Sequence, residues 1–596
     1  MRILHIVHDF LPDHVAGVEV YTDHVVRALA REHEVGLLYT ESVPHAPNYA
    51  LRRGHWGDVA TWELVNNHVH AGFAETWSNP AVEARVCEVL DEFRPDVVHV
   101  QHLINLSLGV LSELDRRGVP VVMTLHEHWL ACANGGQRFH RELGRCDVLD
   151  ARRCAACTAH WHPPAGRLEA ALDGAFAGAG GTGTLALVRL APAIDAPAAD
   201  FVYRDRYVLH GASRDTWVAH PPARLGFELH AGEGALFTVH VAMHASTFET
   251  PGGAVRFAVR VDGSTAAERR LDPRRDPADR FPRAIAVSLA PGRHHLELVT
   301  ETDPVDAREF ATAGWIDPRV RNAAAVPQTA RARAGRAALR LADAAWHAPF
   351  ADARRAIEAR WAAVRHVARS VDRFLLPSRH LLDEMARFGL PADRLVHCDY
   401  GFPVDDFVPR DDLPEFARHF VFIGSVMRHK GMHVLLEAFE GMPADAQLSV
   451  AGSPSYDPGY STWLHGSGSH PGLRFIGGVA PERVPALLAM ADALVVPSIW
   501  QENSPLTIHE GFLAGIPVVA SRMGGSTELI EAGGGLLYDA DDPLALRAAL
   551  RRLYEEPGLA RRLAASAPPV KSIKEHVAEL VELYDRVAGE RRRSRG

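Results

Sequence analysis

Residues 492–521 read DALVVPSIWQENSPLTIHEGFLAGIPVVAS. The stretch opens on one apolar run, Ala493 to Val496, and closes on another, Val518 to Ala520. Short valine-rich runs of this kind suit buried parallel strands. Parallel neighbours need a crossover, usually a helix. Ser504 suits an N-cap, Pro505 the first helical position and Gly515 a helix stop, so the expected unit is strand, loop, helix, strand. Glu502 then stands in the loop at the carboxyl end of a strand, where open α/β sheets bind ligands. Glu510 stands about a turn and a half into the helix, and free N–H groups at Leu506 and Thr507 favour a phosphate at its start. A carboxylate beside a phosphate site suits a polyol, because it accepts two hydroxyl hydrogen bonds. On that basis Glu510 fits a ribose and Glu502 something beyond the phosphates. As an isolated pattern, E-x7-E is more often two solvated carboxylates.

The same alternation of strand and helix extends outward. HFVFIGS, AQLSVAGS, LRFIGG, PVVAS and GLLYD surround the opening stretch, and RILHIVHDF, EVGLLYTE, DVVHVQHL and VPVVMTLHEH occupy the first 165 residues. Between these blocks the period changes to two, at Phe237, Val239, Val241 and Met243, then Val255, Phe257, Val259 and Val261, then Ile285, Val287 and Leu289. Alternation at short spacing, with Gly and Pro turns, indicates an antiparallel β-sandwich. The expected fold is α/β, two Rossmann-like domains with a β-sandwich inserted in the N-terminal one. The expected boundaries are an N-terminal domain at 1–165, an Ala/Gly-rich linker at 166–200, the sandwich at 201–325 and a helical return at 326–372. A C-terminal nucleotide-binding domain follows at 373–575, then a helix with a basic tail at 576–596.

Composition narrows the function. Across 596 residues, 64 Lys and Arg stand against 74 Asp and Glu, for a net charge of −10, which argues against a nucleic-acid binder. No run approaches the roughly 18 apolar residues of a membrane span, and His8 and Asp9 interrupt the opening MRILHIVHDF, so a cytoplasmic protein is expected.

Several further stretches, AGVEVYTDHVVRALA, RPDVVHVQHLINLS, TLHEHWLAC, LLPSRHLLDEMARFGLP, GSVMRHKGMHVLLEAF, FIGGVAPERVPALLAMADALVVPS and GGSTELI, join the E-x7-E stretch in one pattern. Together they resemble the family-four retaining glycosyltransferases of GT-B fold, over both α/β blocks but not the sandwich. The resemblance implies a nucleotide-sugar donor and a glycan or lipid-linked acceptor in cell-surface polysaccharide or glycoconjugate synthesis. It assigns Lys430 to the donor diphosphate, Gly17 to close backbone approach there, His126 and Glu502 to the transferred sugar, and Glu510 to the ribose. Leu506 and Thr507 complete the donor-binding set. The family often has an arginine where this chain has Ser425, and Arg428 is the candidate replacement. No cofactor is expected for catalysis, since Lys430 and the helix N–H groups can hold the phosphates. Metal-independent transfer is the expectation.

Cys132, Cys146, Cys154 and Cys157 form C-x13-C-x7-C-x2-C, read either as a structural zinc site or as four reduced cysteines, with a redox pair a distant third. In the sandwich, Trp217 and Trp315 suit either sugar stacking or, more commonly, the core. Arg331, Arg333, Arg336, Arg340, Arg354, Arg355 and the tail Arg591 to Arg593 fit either a solvated face or peripheral contact with the inner face of a membrane bearing lipid-linked acceptors. Two rival functions remain: a nicotinamide oxidoreductase, disfavoured because no G-x-G-x-x-G follows the first strand, and a non-catalytic glycan-binding scaffold with a degenerate transferase core.

Overall fold

The computed structural model describes residues 1–43, 46–67, 73–140, 144–158, 184–189, 192–197, 201–209, 212–243, 254–272, 279, 283–303, 313–321, 351–453 and 458–595. They divide into two compact units, one of Met1–Ser42, Asn48–Cys154 and Ala356–Gly596, the other of Val43–Pro47 and Ala155–Arg355.

The first unit holds two largely parallel sheets. One has eight strands in the spatial order Leu395–His397, Arg373–Leu376, Val121–Thr124, Val97–Val100, Arg2–Ile6, Glu34–Glu41, Val59–Val65 and Leu51–Trp56. The other has six, in the order Leu473–Gly477, Gln447–Ala451, His419–Ile423, Ala493–Val496, Val518–Ser521 and Gly535–Tyr538. Central strands such as Val97–Val100, Ala493–Val496 and Val518–Ser521 are buried at every residue, because helices cover both faces of a parallel sheet. Local chemistry sets many helix ends. Asn79 accepts from the N–H groups of Ala81 and Val82 to start Pro80–Phe93, and Ser378 accepts from Leu381 to start Arg379–Phe388, which Gly389 ends in the left-handed region.

The second unit contains the expected β-sandwich. A five-stranded sheet, Ala193–Asp195, Ala223–Ala231, Gly292–Asp303, Ala254–Val261 and Ser264–Leu271, has antiparallel pairs throughout. So has a second sheet of Val202–Leu209, Ala212–Ala219, Ala313–Arg321, Ala235–Met243 and Arg283–Leu289, with Thr184–Ala186 on Ala313–Arg321. Phe237, Val239 and Val241 point into one core with Val255, Phe257 and Val259. Trp217 and Trp315 face each other across neighbouring strands in that core, 5% and 0% exposed, which removes them as sugar-stacking surfaces.

Three boundaries of the observed elements differ from the expected ones, and one hairpin is added. Thr184–Ala186 and Ala193–Asp195 are strands of the sandwich, so the linker does not extend to 200; residues 159–183 lie outside the described ones. Arg373–Leu376 and Leu395–His397 extend the first sheet, so the second domain starts at His419–Ile423 and not at 373. The last helix starts at Ile573 and runs through the basic tail to Arg595, where Arg591 donates to Asp372 and Asp115. The hairpin Leu51–Trp56 with Val59–Val65 adds an antiparallel edge the sequence reading lacked. Of the return segment, helix Ala351–Val367 is described; Arg331, Arg333, Arg336 and Arg340 lie outside the described residues. Among the described residues no helix is long and apolar enough to cross a membrane.

Candidate functional site

A cavity of about 610 Å³ opens at the carboxyl ends of strands from both parallel sheets. Gly17, His126, Lys430, Glu502, Leu506, Thr507 and Glu510 all line it, so sequence positions nearly five hundred residues apart converge as expected. Ser425 lines it too.

Two helices point their N-termini at this space. Gly17–Leu29 starts beside Ala16, and Leu506–Leu513 starts beside Pro505; neither has a side-chain cap. Ser504 is therefore not the N-cap, and its hydroxyl meets His509 Nε2 instead, at 3.0 Å. Uncapped first-turn N–H groups and the positive ends of two helix dipoles make an anion site. A Cβ on Gly17 would meet Leu506 Cδ1 at 3.7 Å, an ordinary contact. Packing alone does not demand glycine there, and the open space it leaves belongs to the cavity.

Lys430 ends a single 3-10 turn, Arg428–Lys430. Gly431 follows at φ +71°, where a Cβ would lie 1.8 Å from the carbonyl oxygen of Pro497, so only glycine lets this turn rest on the end of strand Ala493–Val496. The Lys430 Nζ then lies 2.7 Å from Glu502 Oε1 and 4.8 Å from the Trp500 ring centroid. Ser498 Oγ donates to the same carboxylate oxygen at 2.6 Å. Burial pushes the Glu502 carboxyl up, but the Lys430 ammonium and the Ser498 hydroxyl outweigh it and hold the group below its ordinary range. Glu502 is thus an ionised, buried carboxylate. Among the described residues no such cation stands at Glu510, and burial pushes its carboxyl up to about 7.

Arg428 is not among the lining residues. At three residues per turn, positions two apart point to different sides, and the Arg428 guanidinium lies over the Tyr460 ring at 5.4 Å.

His126 is held at both nitrogens. Gln101 Nε2 donates to His5 Nδ1 at 3.1 Å, so its Oε1 accepts from His126 Nε2–H at 3.0 Å, and His126 Nδ1 accepts from the Tyr400 hydroxyl at 2.6 Å. Burial drives the imidazole well below its ordinary pKa, so the ring is neutral. It lines the cavity as a fixed, neutral ring. Sequence reasoning missed Gln101 and Tyr400, and also Asn503, whose Nδ2 donates to the carbonyls of Leu125 and His126 at 3.1 and 3.0 Å while its Oδ1 accepts from Ser378. Asn503 ties the Glu502 loop to the end of strand Val121–Thr124. Its place beside Glu502 was its only sequence signal.

The cysteines form a looser group. Cys132 and Cys154 are buried, and Cys157 follows Cys154 by one turn in helix Ala151–Cys157. Burial, then the neighbouring Cys132 and Cys146, push the Cys154 thiol up to about 12. The sulfurs of Cys132 and Cys146 point at the carbonyls of Asn134 and Val148. Among the described residues Cys132, Cys146 and Cys154 do not bring their sulfurs within 4.8 Å of one another. Zinc on this set needs the loop to draw them together.

Residues 15–162 match the family described as Glycosyltransferase Family 4, and residues 407–569 match Glycosyl transferases group 1. D-rhamnosyltransferase WbpZ of Pseudomonas aeruginosa is 32% identical over 25% of this chain and 39% of its own length. A D-inositol 3-phosphate glycosyltransferase of Xylanimonas cellulosilytica is 30% identical over 34% of this chain and 53% of its own. The alignments thus span about two fifths to one half of these relatives. Sucrose-phosphate synthase from Thermosynechococcus elongatus is similar over 100% of this chain and 98% of its own, at 14% identity and a TM-score of 0.48.

Proposed function

The chain belongs to the family-four glycosyltransferases of GT-B fold, and on that premise we propose that it is a retaining enzyme. It moves a hexosyl residue from a nucleoside-diphosphate sugar to a glycan or lipid-linked acceptor in cell-surface polysaccharide or glycoconjugate synthesis. The observation that carries the reading is the meeting of Lys430, Glu502 and two uncapped helix N-termini in one cavity. One matched relative is named for rhamnosyl transfer and another for glycosyl transfer to inositol 3-phosphate; neither name selects the sugar here.

In this reading the helix N-termini and Lys430 receive the diphosphate, and Glu510 accepts from the ribose hydroxyls. During transfer the bond from the anomeric carbon to the leaving phosphate oxygen breaks, the acceptor oxygen bonds to that carbon on the same face, and the acceptor proton passes to the departing phosphate. No protein nucleophile is needed. Lys430 meets the charge that grows on the phosphate, which is where preorganised cations accelerate most. Glu502, fixed by Ser498 and Lys430, stabilises the sugar as it becomes positive. Asn503 positions the loop that presents it.

The test is incubation with a panel of nucleotide sugars in the presence and absence of chelator, following diphosphate release and transfer. Turnover of at least one donor, undiminished by chelator, is expected. Transfer restored only by magnesium or manganese overturns the metal-independent mechanism, and nucleotide binding without any turnover supports the non-catalytic scaffold instead.

A further inference from the structure

The chain crosses twice between the two parallel sheets. It leaves the first at Leu395–His397 and reaches the second at His419–Ile423, then returns after Leu559–Ala565 to helix Ile573–Arg595, whose Leu580, Tyr584 and Val587 pack in the first sheet's core with Val25 and Leu29. The two crossings touch. Phe402 N–H donates to Lys571 O at 3.0 Å and Ile573 N–H to Phe402 O at 2.7 Å, and a Cβ on Gly401 would fall 2.3 Å from His576 Cβ.

At this junction stand Cys398, directly after the strand, and His576 and Glu579, three apart on one face of the helix. Their ligand atoms all lie within 4.8 Å of one another, and Cys398 Sγ is 4.0 Å from His576 Nδ1. The other imidazole nitrogen, Nε2, lies 2.7 Å from the Tyr21 hydroxyl. Lys571 Nζ holds Glu579 Oε2 at 2.6 Å, so the carboxylate keeps a second oxygen for a further ligand bond.

We propose that Cys398, His576 and Glu579 form a zinc(II) site that clips the two crossings together. A thiolate, an imidazole and a carboxylate suit zinc and do not suit magnesium or calcium. In a tetrahedral site with zinc–sulfur near 2.3 Å and zinc–nitrogen near 2.0 Å, ligand atoms lie about 3.3–3.8 Å apart, so the cysteine and histidine need to close by only a few tenths of an ångström. Histidine ligands characteristically donate their second N–H to a fixed partner. Tyr21 is that partner, and with Nε2–H on its oxygen the Nδ1 lone pair faces the cysteine. Binding replaces the thiol proton of Cys398 by zinc and releases that proton to water, and a water completes the fourth position. Tyr21 also packs against His126 and Tyr400, with ring centroids 5.1 and 4.6 Å apart, so the clip lies one side chain behind the cavity wall. Any rotation of one α/β half against the other bends the chain at these two crossings, and a clipped junction resists it.

The full chain carrying Cys132→Ser, Cys146→Ser, Cys154→Ser and Cys157→Ser, reduced and stripped of metal, is titrated with cobalt(II) and then with zinc. One cobalt per chain with a thiolate-to-cobalt charge-transfer band, displaced by one zinc, is expected. Adding Cys398→Ser abolishes the band, Glu579→Gln weakens affinity at least tenfold, and zinc raises Tm in the parent but not in the Cys398→Ser protein. No stoichiometric binding, or binding indifferent to both Cys398→Ser and Glu579→Gln, overturns the proposal. Should Cys398→Ser fail to fold, the exposed Glu579→Gln decides alone: unchanged affinity overturns the site.

Discussion

Two polar networks flank the cavity, and they are built on opposite principles. The one behind His126, running through Gln101, His5 and Tyr400, is neutral: burial drives His5 down to about 3, His126 well below its ordinary value and Tyr400 well above. The one around Glu502 keeps its charge, because Lys430 and Ser498 are within hydrogen-bond reach of one carboxylate oxygen. A neutral network orients without attracting ions, whereas a charged pair held ready costs no reorganisation when charge develops nearby. The difference teaches where charge is expected to move. It moves on the side of Lys430 and Glu502.

The largest expected effect tests the charged network. Lys430→Ala and Glu502→Ala should each lower kcat by about a hundredfold or more with little change in donor KM, as loss of a transition-state interaction requires. Steady-state kinetics in which either variant raises KM alone would break the contrast.

Glu510→Ala comes next. The ribose is bound alike in ground and transition states, so donor KM should rise about tenfold to hundredfold, from about 1.5–3 kcal/mol for a charged hydrogen bond. A pH dependence should accompany it. The Glu510 carboxyl is raised to about 7 in the folded protein, so its ionised form, the one that accepts from hydroxyls, predominates only above that pH. Donor affinity should therefore fall as pH drops below about 7, and donor binding near neutrality should release a proton. Calorimetry in buffers of different ionisation enthalpy reads the proton directly, and Glu510→Gln should abolish it.

Perturbing the neutral network should register mainly in stability. Gln101→Leu leaves the His126 Nε2–H without its acceptor and should cost about 1–3 kcal/mol, seen as a lower denaturation midpoint at unchanged slope. Its pH–rate profile should match that of the parent, since no group there titrates near neutrality.

The smallest expected effect concerns the sandwich. Replacing residues 184–321 by a short linker should leave the donor Kd within about twofold, measured by calorimetry, because none of the described residues of that span is among those lining the cavity. Loss of nucleotide binding in a folded deletion variant would bring the sandwich into the donor site.

The contrast also tracks what was legible in the sequence. Buried parallel strands read as unbroken apolar runs, so Ala493–Val496 and Val518–Ser521 stood out, while the other four strands of the second sheet were read from their alternation with helical stretches, and the sandwich strands from their period of two. Arg373–Leu376 and Leu395–His397 fell within the range expected for the second domain, since nothing local states which sheet a strand joins. Thr184–Ala186 and Ala193–Asp195 are three-residue strands in an Ala/Gly-rich context, too short for any period. Charged site residues carry motifs, and Lys430, Glu502 and Glu510 were found that way. Gln101 and Asn503 were not, because their partners, at His126 and at Leu125, are brought close only by the folded chain. Arg428 stands two positions from Lys430, and around a 3-10 turn that spacing points the two side chains to different sides.

The eight-stranded sheet has a consequence for synthesis on the ribosome. Its first strand, Arg2–Ile6, shares a core with helix Ile573–Arg595 at the other end of the chain, so at roughly 5–20 residues per second it waits about half a minute to two minutes for its last covering. The sandwich has all its described strands between Thr184 and Arg321 and can close long before that. A nascent chain halted before Ile573 therefore carries a finished sandwich beside an N-terminal half with Val25, Val26 and Leu29 uncovered by the final helix, the kind of apolar surface that chaperones hold until the last turn emerges.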